Sequence, residues 1–429
     1  MFLRRLLGLQ SATRAERRAT GWIAVMYFAA LAGMFLLRPI RGQLGVARGV
    51  EAMPELYSLT LLATVVVVVP FWSLADRMAS RRFVPICLNV CTALLLLLAV
   101  GFTFVGEHQW QAQPWVGKAF WGGFSAMNVA VPALVWIHAV EHYGRSQAKR
   151  LFGFVAVGGT LGAMAGSYGV KLPAQLGVEV PLWGFGVAAA TLMQVALLAF
   201  RRSHRPCLEL DGGDTDRAHA GGGVLQGLAV LARDRRARQI SLYVMLVGFV
   251  ATAFEAAQTE LVGAELARAW EQQTFLADVG LWGNALVLFL QVFWTGRLLT
   301  RAPASLLLAA LPVISVVGLG CYALAPTAAA IFGIQVARRG VNYAVEKPAR
   351  EVLYTPLGLA TKHKVKFLID TFAYRLGDLF GAVTQVWLRE LGLGVGAIVA
   401  VTVAFAGAWV LIARSLGRAQ TSPSASPTS

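Results

Sequence analysis

Charged side chains are scarce in this sequence. Asp, Glu, Lys and Arg make up 14% of the 429 residues, whereas 57% are hydrophobic, and a soluble protein of this length carries about 25% charged residues. Apolar runs of 18 or more residues recur along the chain, and each can cross a bilayer core of about 30 Å as a helix. The runs are too long for barrel strands. We therefore predict an all-α polytopic membrane protein.

Cysteine and the common catalytic motifs are also nearly absent. The four cysteines show neither metal-type spacing nor a disulfide framework, and Cys87 and Cys91 lie inside one apolar run, so we interpret that pair as small apolar core residues. There is no P-loop and no Gly-x-Ser-x-Gly elbow. The basic N-terminus lacks the cleavage pattern of a signal peptide. We predict neither enzymatic activity nor a bound cofactor or metal.

Twelve apolar segments are candidate membrane spans, which predicts both termini on one side. They cover roughly 19–38, 57–75, 83–106, 117–140, 151–171, 181–200, 239–262, 276–296, 303–323, 325–346, 367–388 and 392–413.

The net charge of +16 is distributed unevenly between the two sets of loops. The termini and the loops on their side hold 28 of the 38 Lys and Arg residues, and the opposite loops hold seven. This asymmetry predicts a bacterial-type inner membrane protein with both termini in the cytoplasm. The charge thus reports topology and contact with anionic lipid, and we do not expect nucleic-acid binding.

The longest polar segment divides the chain into two six-span halves. Residues 201–238 include DGGDTDRAHAGGG and end in LARDRRARQ, which is typical of a flexible basic linker. We predict an N-terminal half over 1–200, a C-terminal half over 239–414 and a disordered tail over 415–429.

The two halves show sequence echoes at a constant offset. KRLFGFVAVGGTLGAMAG (149–166) and KVKFLIDTFAYRLGDLFG (364–381) share five identities 215 residues apart: Lys149/Lys364, Phe152/Phe367, Leu161/Leu376, Gly162/Gly377 and Gly166/Gly381. FWSLADRMASRR (71–82) echoes FWTGRLLTRAPA (293–304). Parallel six-span repeats are the mark of the major-facilitator architecture, with substrate bound between the halves, although apolar helices can also resemble one another by chance.

Three short motifs each allow two interpretations. LADRMASRR (74–82), with Asp76 and Arg77, is either a conformational latch or a plain basic turn. GGTLGAMAG (158–166) spaces Gly158, Gly162 and Gly166 four apart, which predicts close helix packing rather than the dinucleotide fingerprint of a βαβ unit. HAVEH (138–142) matches a zinc-protease pattern, but no third ligand is evident, and two interfacial histidines are the simpler interpretation.

Several ionisable residues fall inside predicted spans, where charge is costly and must face a cavity or a partner. Glu255 lies in the seventh span, and Arg38 ends the first, where it either snorkels to the headgroups or attracts anions. In the eleventh span, Arg375 and Asp378 are three residues apart and can pair. Together with Asp370 they form either a structural ion pair or a gate.

RRGVNYAVEKPARE (338–351) places six charges at the end of an apolar run. At 100° per residue, a wedge of about 100° contains five positions: Arg339, Asn342, Tyr343, Glu346 and Arg350. This stripe predicts the wall of a water-filled cavity, with a kink at Pro348, which cannot donate to Ala344. Alternatively, the span ends near Ala337 and a loop follows.

The same region carries a family resemblance. EKPARE (346–351), Tyr354-Thr355-Pro356, Lys364 with Lys366, and IDTFAYRLGD (369–378) resemble the signature region of the ATP/ADP antiporter (nucleotide transporter) family of plastids and intracellular bacteria. RSQAKRLFGFVAVGGTLGA (145–163) and LLRPIRGQLG (36–45) are similar to it as well. The resemblance implies a twelve-span, major-facilitator-like carrier that exchanges nucleotides.

These observations lead to three hypotheses. The first is alternating-access transport of an organic anion, a nucleotide or another phosphorylated metabolite, with Arg339, Lys347 and Arg350 attracting phosphate, Arg38 acting from the first half, and Glu346 and Glu255 balancing charge. The second is a proton-coupled carrier of another solute with Glu255 or Asp370 as the proton site. The third is a membrane enzyme or sensor, supported by HAVEH alone.

Overall fold

The apolar runs of the sequence form long helices in the computed structural model. It describes residues 12–104, 114–178, 180–208, 229, 231–354, 365–366 and 368–421. The helices in the first half of the chain are α1 Arg14–Arg48, α2 Met53–Arg77, α3 Ser80–Thr103, α4 Pro114–His142, α5 Arg145–Gln175 and α6 Leu182–Leu208. Those in the second half are α7 Arg235–Glu265, α8 Ala269–Arg301, α9 Ala304–Leu324, α10 over 328–353, α11 over 369–390 and α12 Val395–Thr421.

Ten of these helices, within the residues described, are long and apolar enough to cross a membrane. The other two, α10 and α11, fall outside that group because they carry the charged residues of 338–351 and 370–378. Large apolar side chains such as Leu97, Leu198 and Leu411 point outward, as expected for helices surrounded by lipid. The chain is an all-α, multi-pass membrane protein.

Helix ends follow local capping chemistry. Thr13 and Glu16 form a reciprocal capping box, in which each side-chain oxygen accepts a hydrogen bond from the other residue's backbone N–H, at 2.7 Å and 3.1 Å. The helix α1 therefore begins at Arg14, ahead of the predicted span. Gly49 has a φ of 78°, a left-handed conformation that glycine adopts without a Cβ clash, and it turns the chain into α2.

The chain forms two compact units. The first comprises the described parts of Met1–Arg48, Leu62–Arg217 and Leu266–Ala285. The second comprises the described parts of Gly49–Leu61, Ala218–Glu265 and Leu286–Ser429. The segment Gly49–Leu61 therefore belongs to the second unit, although the predicted boundaries place it in the N-terminal half (1–200). The segment Leu266–Ala285 belongs to the first unit, although they place it in the C-terminal half (239–414).

The helices that pack together in the first half of the chain correspond to those that pack together in the second half, with each helix number raised by six. Within the first unit α1 packs mainly against α5 and α6, and α3 packs against α6. Within the second unit α7 packs against α11 and α12, and α9 packs against α12. The recurrence supports the internal repeat that the 215-residue offset predicted.

Glycine makes the closest of these contacts in both units. A Cβ on Gly162 of α5 would lie 2.1 Å from the carbonyl oxygen of Phe28, and one on Gly377 of α11 would lie 2.0 Å from that of Met245. Both backbones approach so closely that only glycine fits. Since Gly162 and Gly377 are one of the predicted repeat pairs, the sequence echo corresponds to one shared packing geometry.

Two predicted segment boundaries differ from the helices. The helix α6 continues to Leu208, beyond the predicted start of the linker at 201, and α12 continues to Thr421, so that 415–421 is helical rather than a disordered tail. Residues 209–228 and 422–429 lie outside the described residues.

Candidate functional site

The helix α10 carries most of the predicted site, and its course differs from a regular α-helix. Ala328–Val341 is α-helical, Asn342–Glu346 is a π turn, and Lys347–Leu353 is α-helical again. The helix therefore continues past Ala337, which rules out a loop there. A π turn adds a residue to the local repeat and is frequent at functional sites.

The proline of α10 explains this irregularity. Pro348 has no N–H to donate to the carbonyl of Ala344. The hydroxyl of Thr295, at the end of the π turn Gln291–Thr295 of α8, lies 2.8 Å from that carbonyl oxygen. The kink predicted at Pro348 thus takes the form of a π turn whose exposed carbonyl is satisfied by a neighbouring helix.

The buried centre of the site is a guanidinium between two carboxylates. Arg350 Nε lies 3.6 Å from Glu346 Oε1, and Arg350 Nη2 lies 3.5 Å from Asp370 Oδ1. Glu346 is fully buried and Arg350 nearly so, whereas the Asp370 side chain is about one-third exposed. Both distances exceed the 2.7–2.9 Å of a charge-assisted hydrogen bond.

Asp370 reaches this centre through a second irregular helix. Ile369–Ala373, at the start of α11, is also a π turn. The sequence grouped Asp370 with Arg375 and Asp378, but its ion pair is with Arg350 of α10. Arg375 pairs separately with Asp378 at 2.9 Å.

A second group of cations on α10 surrounds an aromatic ring. Lys347 Nζ lies 4.3 Å from the ring centroid of Tyr343, and the guanidinium carbon of Arg339 lies 5.4 Å from the same centroid. Lys347 is exposed, whereas Arg339, Asn342 and Tyr343 are half-buried. The ring is thus held in place by cation–π contacts, with the two positive groups still partly accessible.

The predicted wedge of α10 is not uniform. Its members range from the half-buried Arg339 to the fully buried Glu346, because Asn342–Glu346 is a π turn, which breaks the assumed 100° spacing. A single helical-wheel angle therefore does not describe this surface.

Arg338 is a buried cation that the sequence prediction left out of the wedge. Its Nε donates to Ser315 Oγ at 3.1 Å, and its guanidinium carbon lies 4.0 Å from the ring centroid of Phe254. Both contacts come from other helices, α9 and α7, so that periodicity along α10 gave no signal for them.

Glu255 of α7 is held by a tyrosine. The hydroxyl of Tyr57, which is 3% exposed, donates to Glu255 Oε2. One turn further along, the side-chain amides of Gln258 and Gln335 lie within 3.2 Å. A polar strip therefore joins α7 to α10 within the second unit, and the sequence did not associate Tyr57 with Glu255.

The predicted residues of the first unit lie elsewhere. Arg38 of α1 is half-buried, with its guanidinium carbon 5.3 Å from the ring centroid of Phe35. Arg77 is exposed at the end of α2, and the side chain of Asp76 lies outside the description. The turn that follows is held instead by Glu141, whose Oε2 accepts the backbone N–H of Ser80 at 3.1 Å.

The resemblance residues beyond α10 are only partly described. Lys366 Nζ pairs with Glu351 Oε1 at 2.6 Å, and Tyr354 is fully buried. Thr355, Pro356 and Lys364 lie outside the described residues.

The two histidines of HAVEH lie next to each other at the end of α4. His138 is fully buried, and it packs against His142 with ring centroids 4.7 Å apart. Cys207 of α6 stands close to both, which supplies the third potential ligand that the sequence pattern did not reveal.

Several solved transporters share this fold. No family model and no curated protein matches the sequence. A nucleoside transporter, NupG, superposes with a TM-score of 0.64 at 12% identity, covering 93% of this chain and 99% of its own. A peptide transporter of the POT family gives 0.63 at 15%, covering 94% and 97%. The fucose:proton symporter of E. coli, FucP, gives 0.54 at 14%, covering 95% and 100%. The fold is therefore major-facilitator-like.

Proposed function

We propose that the protein is a secondary transporter of the inner membrane that moves an organic anion by alternating access, with a nucleotide of the ATP/ADP type as the first candidate substrate. The observation that carries this proposal is the charge cluster of α10. Arg350 lies between two carboxylates inside the second unit, and Arg339 and Lys347 flank an aromatic ring beside it.

The charges of this cluster favour an anion. Arg339, Lys347 and Arg350 contribute three positive charges, and Glu346 and Asp370 contribute two negative ones, so the net charge is positive before substrate binds. The guanidinium of Arg350 is not hydrogen-bonded by either carboxylate at 3.5–3.6 Å. Phosphate oxygens match the planar donor geometry of arginine, and they could take the place of these loosely held carboxylates.

Tyr343 adds a reason to favour a nucleotide over a simple phosphorylated sugar. Its half-buried ring lies beside Lys347, an exposed cation that can attract phosphate. A nucleobase can stack on such a ring while its phosphates reach the cations. One of the structures with this fold is a nucleoside transporter, which is consistent with a substrate that contains a nucleoside.

Exchange of this kind does not need ATP hydrolysis. An exchanger needs binding and a conformational change, and the sequence has no P-loop. The excess of Lys and Arg in alternate loops supports cytoplasmic termini, so that the basic linker would face the cytoplasmic nucleotide pool.

Uptake by purified variants tests this proposal. Proteoliposomes would be given labelled ATP or ADP, with wild type, Lys347→Gln and Arg339→Gln compared at equal protein content. Loss of one charged contact of about 1.5–3 kcal/mol should lower uptake at low substrate about tenfold or more. Arg414→Gln removes an exposed cation from α12 and serves as the matched control. Equal uptake by all four proteins would contradict the assignment of these cations.

Proton-coupled transport of a different solute is the second candidate. Glu255 is a half-buried carboxylate that receives a hydrogen bond from a buried tyrosine, and Asp370 is partly exposed. Both can exchange a proton with a water-filled cavity during a transport cycle. A pH gradient that drives uptake in wild type but not in Glu255→Gln would favour this candidate. Uptake that ignores the gradient would reject it.

A further inference from the structure

Three soft or borderline ligands converge at the ends of two helices in the first unit. His138 and His142 belong to α4, and Cys207 belongs to α6. One ligand atom of each residue lies within 4.8 Å of those of the other two. His138 is fully buried, and Cys207 is 2% exposed. This cluster belongs to the first unit and includes none of the α10 residues assigned to the proposed transport site.

The hydrogen bonds of His138 fix its tautomer. Its Nε2 lies 2.7 Å from the hydroxyl oxygen of Ser203, and that hydroxyl also lies 2.7 Å from the carbonyl oxygen of Phe200. A carbonyl can only accept, so the serine proton points to it and His138 Nε2–H donates to the serine oxygen. The opposite arrangement would leave a buried Nδ1–H without a partner, which is costly.

This tautomer leaves a basic nitrogen with nothing to bind. His138 Nδ1 then carries a lone pair, and it is buried without a hydrogen-bond partner among the described residues. Buried nitrogen atoms of this kind call for an explanation, and an unplaced ion is one of the recognised ones.

His142 is oriented in the same way. Its Nδ1 lies 2.9 Å from the backbone carbonyl oxygen of His138, so Nδ1–H is the donor and the lone pair lies on Nε2. Metal-binding histidines usually donate their second ring N–H to a carbonyl or carboxylate, which fixes the ring orientation. Both rings therefore already have the outer hydrogen bonds expected of metal ligands.

We propose that His138, His142 and Cys207 bind a borderline or soft transition-metal ion, with Zn²⁺ as the representative. Two imidazoles and one thiolate favour such ions over Mg²⁺ or Ca²⁺, which take oxygen ligands. Bonds of about 2.1 Å to nitrogen and 2.3 Å to sulfur place tetrahedral ligand atoms roughly 3.5 Å apart. From the 4.8 Å limit, the ligands need to approach one another by only about 1 Å.

The fourth position has a candidate from the same unit. The ring centroid of His204 lies 6.0 Å from that of His142, and His204 Nδ1 is buried without a partner among the described residues. Either this nitrogen or a water molecule can complete the tetrahedron. Binding converts the Cys207 thiol to a thiolate, and the released proton passes to solvent. The ion would tie the end of α4 to the end of α6.

Cobalt spectroscopy on the purified full-length chain tests the proposal. Co²⁺ reports sulfur ligation through a thiolate-to-metal charge-transfer band, which nitrogen and oxygen ligands do not produce. We expect one Co²⁺ per chain with this band, displaced by Zn²⁺. Cys207→Ala should abolish the band, and His142→Gln should weaken Co²⁺ binding at least tenfold. Cys91→Ala replaces another buried cysteine and should leave the spectrum unchanged.

A variant with Cys207 as its only cysteine keeps the test decisive if a ligand variant fails to fold. It carries Cys87→Ala, Cys91→Ala and Cys321→Ala, which leaves the proposed ligands intact. The band should persist in this protein. Folded wild type without the band, a band that survives Cys207→Ala, or its loss from the variant with Cys207 alone would each overturn the proposal.

Discussion

Arg350→Met is the most informative perturbation of the buried centre. It leaves Glu346 fully buried with no neighbouring cation at 3.6 Å, while methionine keeps much of the side-chain volume. Coulomb attraction at that distance and an effective dielectric constant of 20 is about 5 kcal/mol. Removal of one partner from a buried ion pair costs about 3–5 kcal/mol. We expect a loss of stability in this range.

Unfolding in detergent micelles measures the effect. The free energy of unfolding from denaturant titration should fall by about 3–5 kcal/mol for Arg350→Met. Glu346→Gln should cost less, because Arg350 retains Asp370 at 3.5 Å. The double variant should lose less stability than the two single variants lose in sum, with a coupling energy of about 1–3 kcal/mol.

Weak and additive effects of these substitutions would contradict a buried ion pair. If Arg350→Met lies within about 1 kcal/mol of wild type and the double variant is additive, then the pair is not a buried ion pair in the folded protein. Gel filtration of each variant before unfolding shows that the comparison concerns folded protein.

Three further predictions concern packing and hydrogen bonds, each checked by thermal unfolding of the purified protein. Gly162→Ala should destabilise by at least about 2 kcal/mol, because its Cβ would lie 2.1 Å from a carbonyl oxygen of α1. Gly153→Ala, which meets nothing within 4 Å in the same helix, should be neutral or stabilising. Tyr57→Phe should cost about 1.5–3 kcal/mol through the lost hydrogen bond to the α7 carboxylate. Thr295→Val should cost about 1 kcal/mol, because the carbonyl of Ala344 loses its donor. Equal stability of Gly162→Ala and Gly153→Ala, or a neutral Tyr57→Phe or Thr295→Val, would contradict the corresponding contact.

The helices were predictable because their signal is local. Hydropathy over about 20 residues finds membrane helices, and the glycine spacing of α5 predicts a close contact with another helix, which is α1 in the structure. The helices α10 and α11 were harder, since their charged residues lower the hydropathy below that of the other ten. They were found from the apolar run before Arg338 and from the repeat that links Gly162 with Gly377.

The partners within the site were less predictable because they depend on tertiary contacts. Arg350 follows the π turn of α10 and pairs with Asp370, which lies in the π turn of α11, and a fixed 100° per residue cannot anticipate such turns. Cys207 lies 65 residues after His142 along the chain, so no spacing pattern connects them. Composition located the charged helix, and packing determined which of its charges are paired.

Nucleotide exchange in proteoliposomes is the decisive experiment for the proposed transport of ATP and ADP. Vesicles with purified protein would be loaded with unlabelled ADP or left empty, and labelled ATP would be added outside. We expect rapid uptake into loaded vesicles and little into empty ones, because an exchanger returns only with substrate bound. Folded protein that shows no exchange at any nucleotide concentration would contradict the proposed exchange.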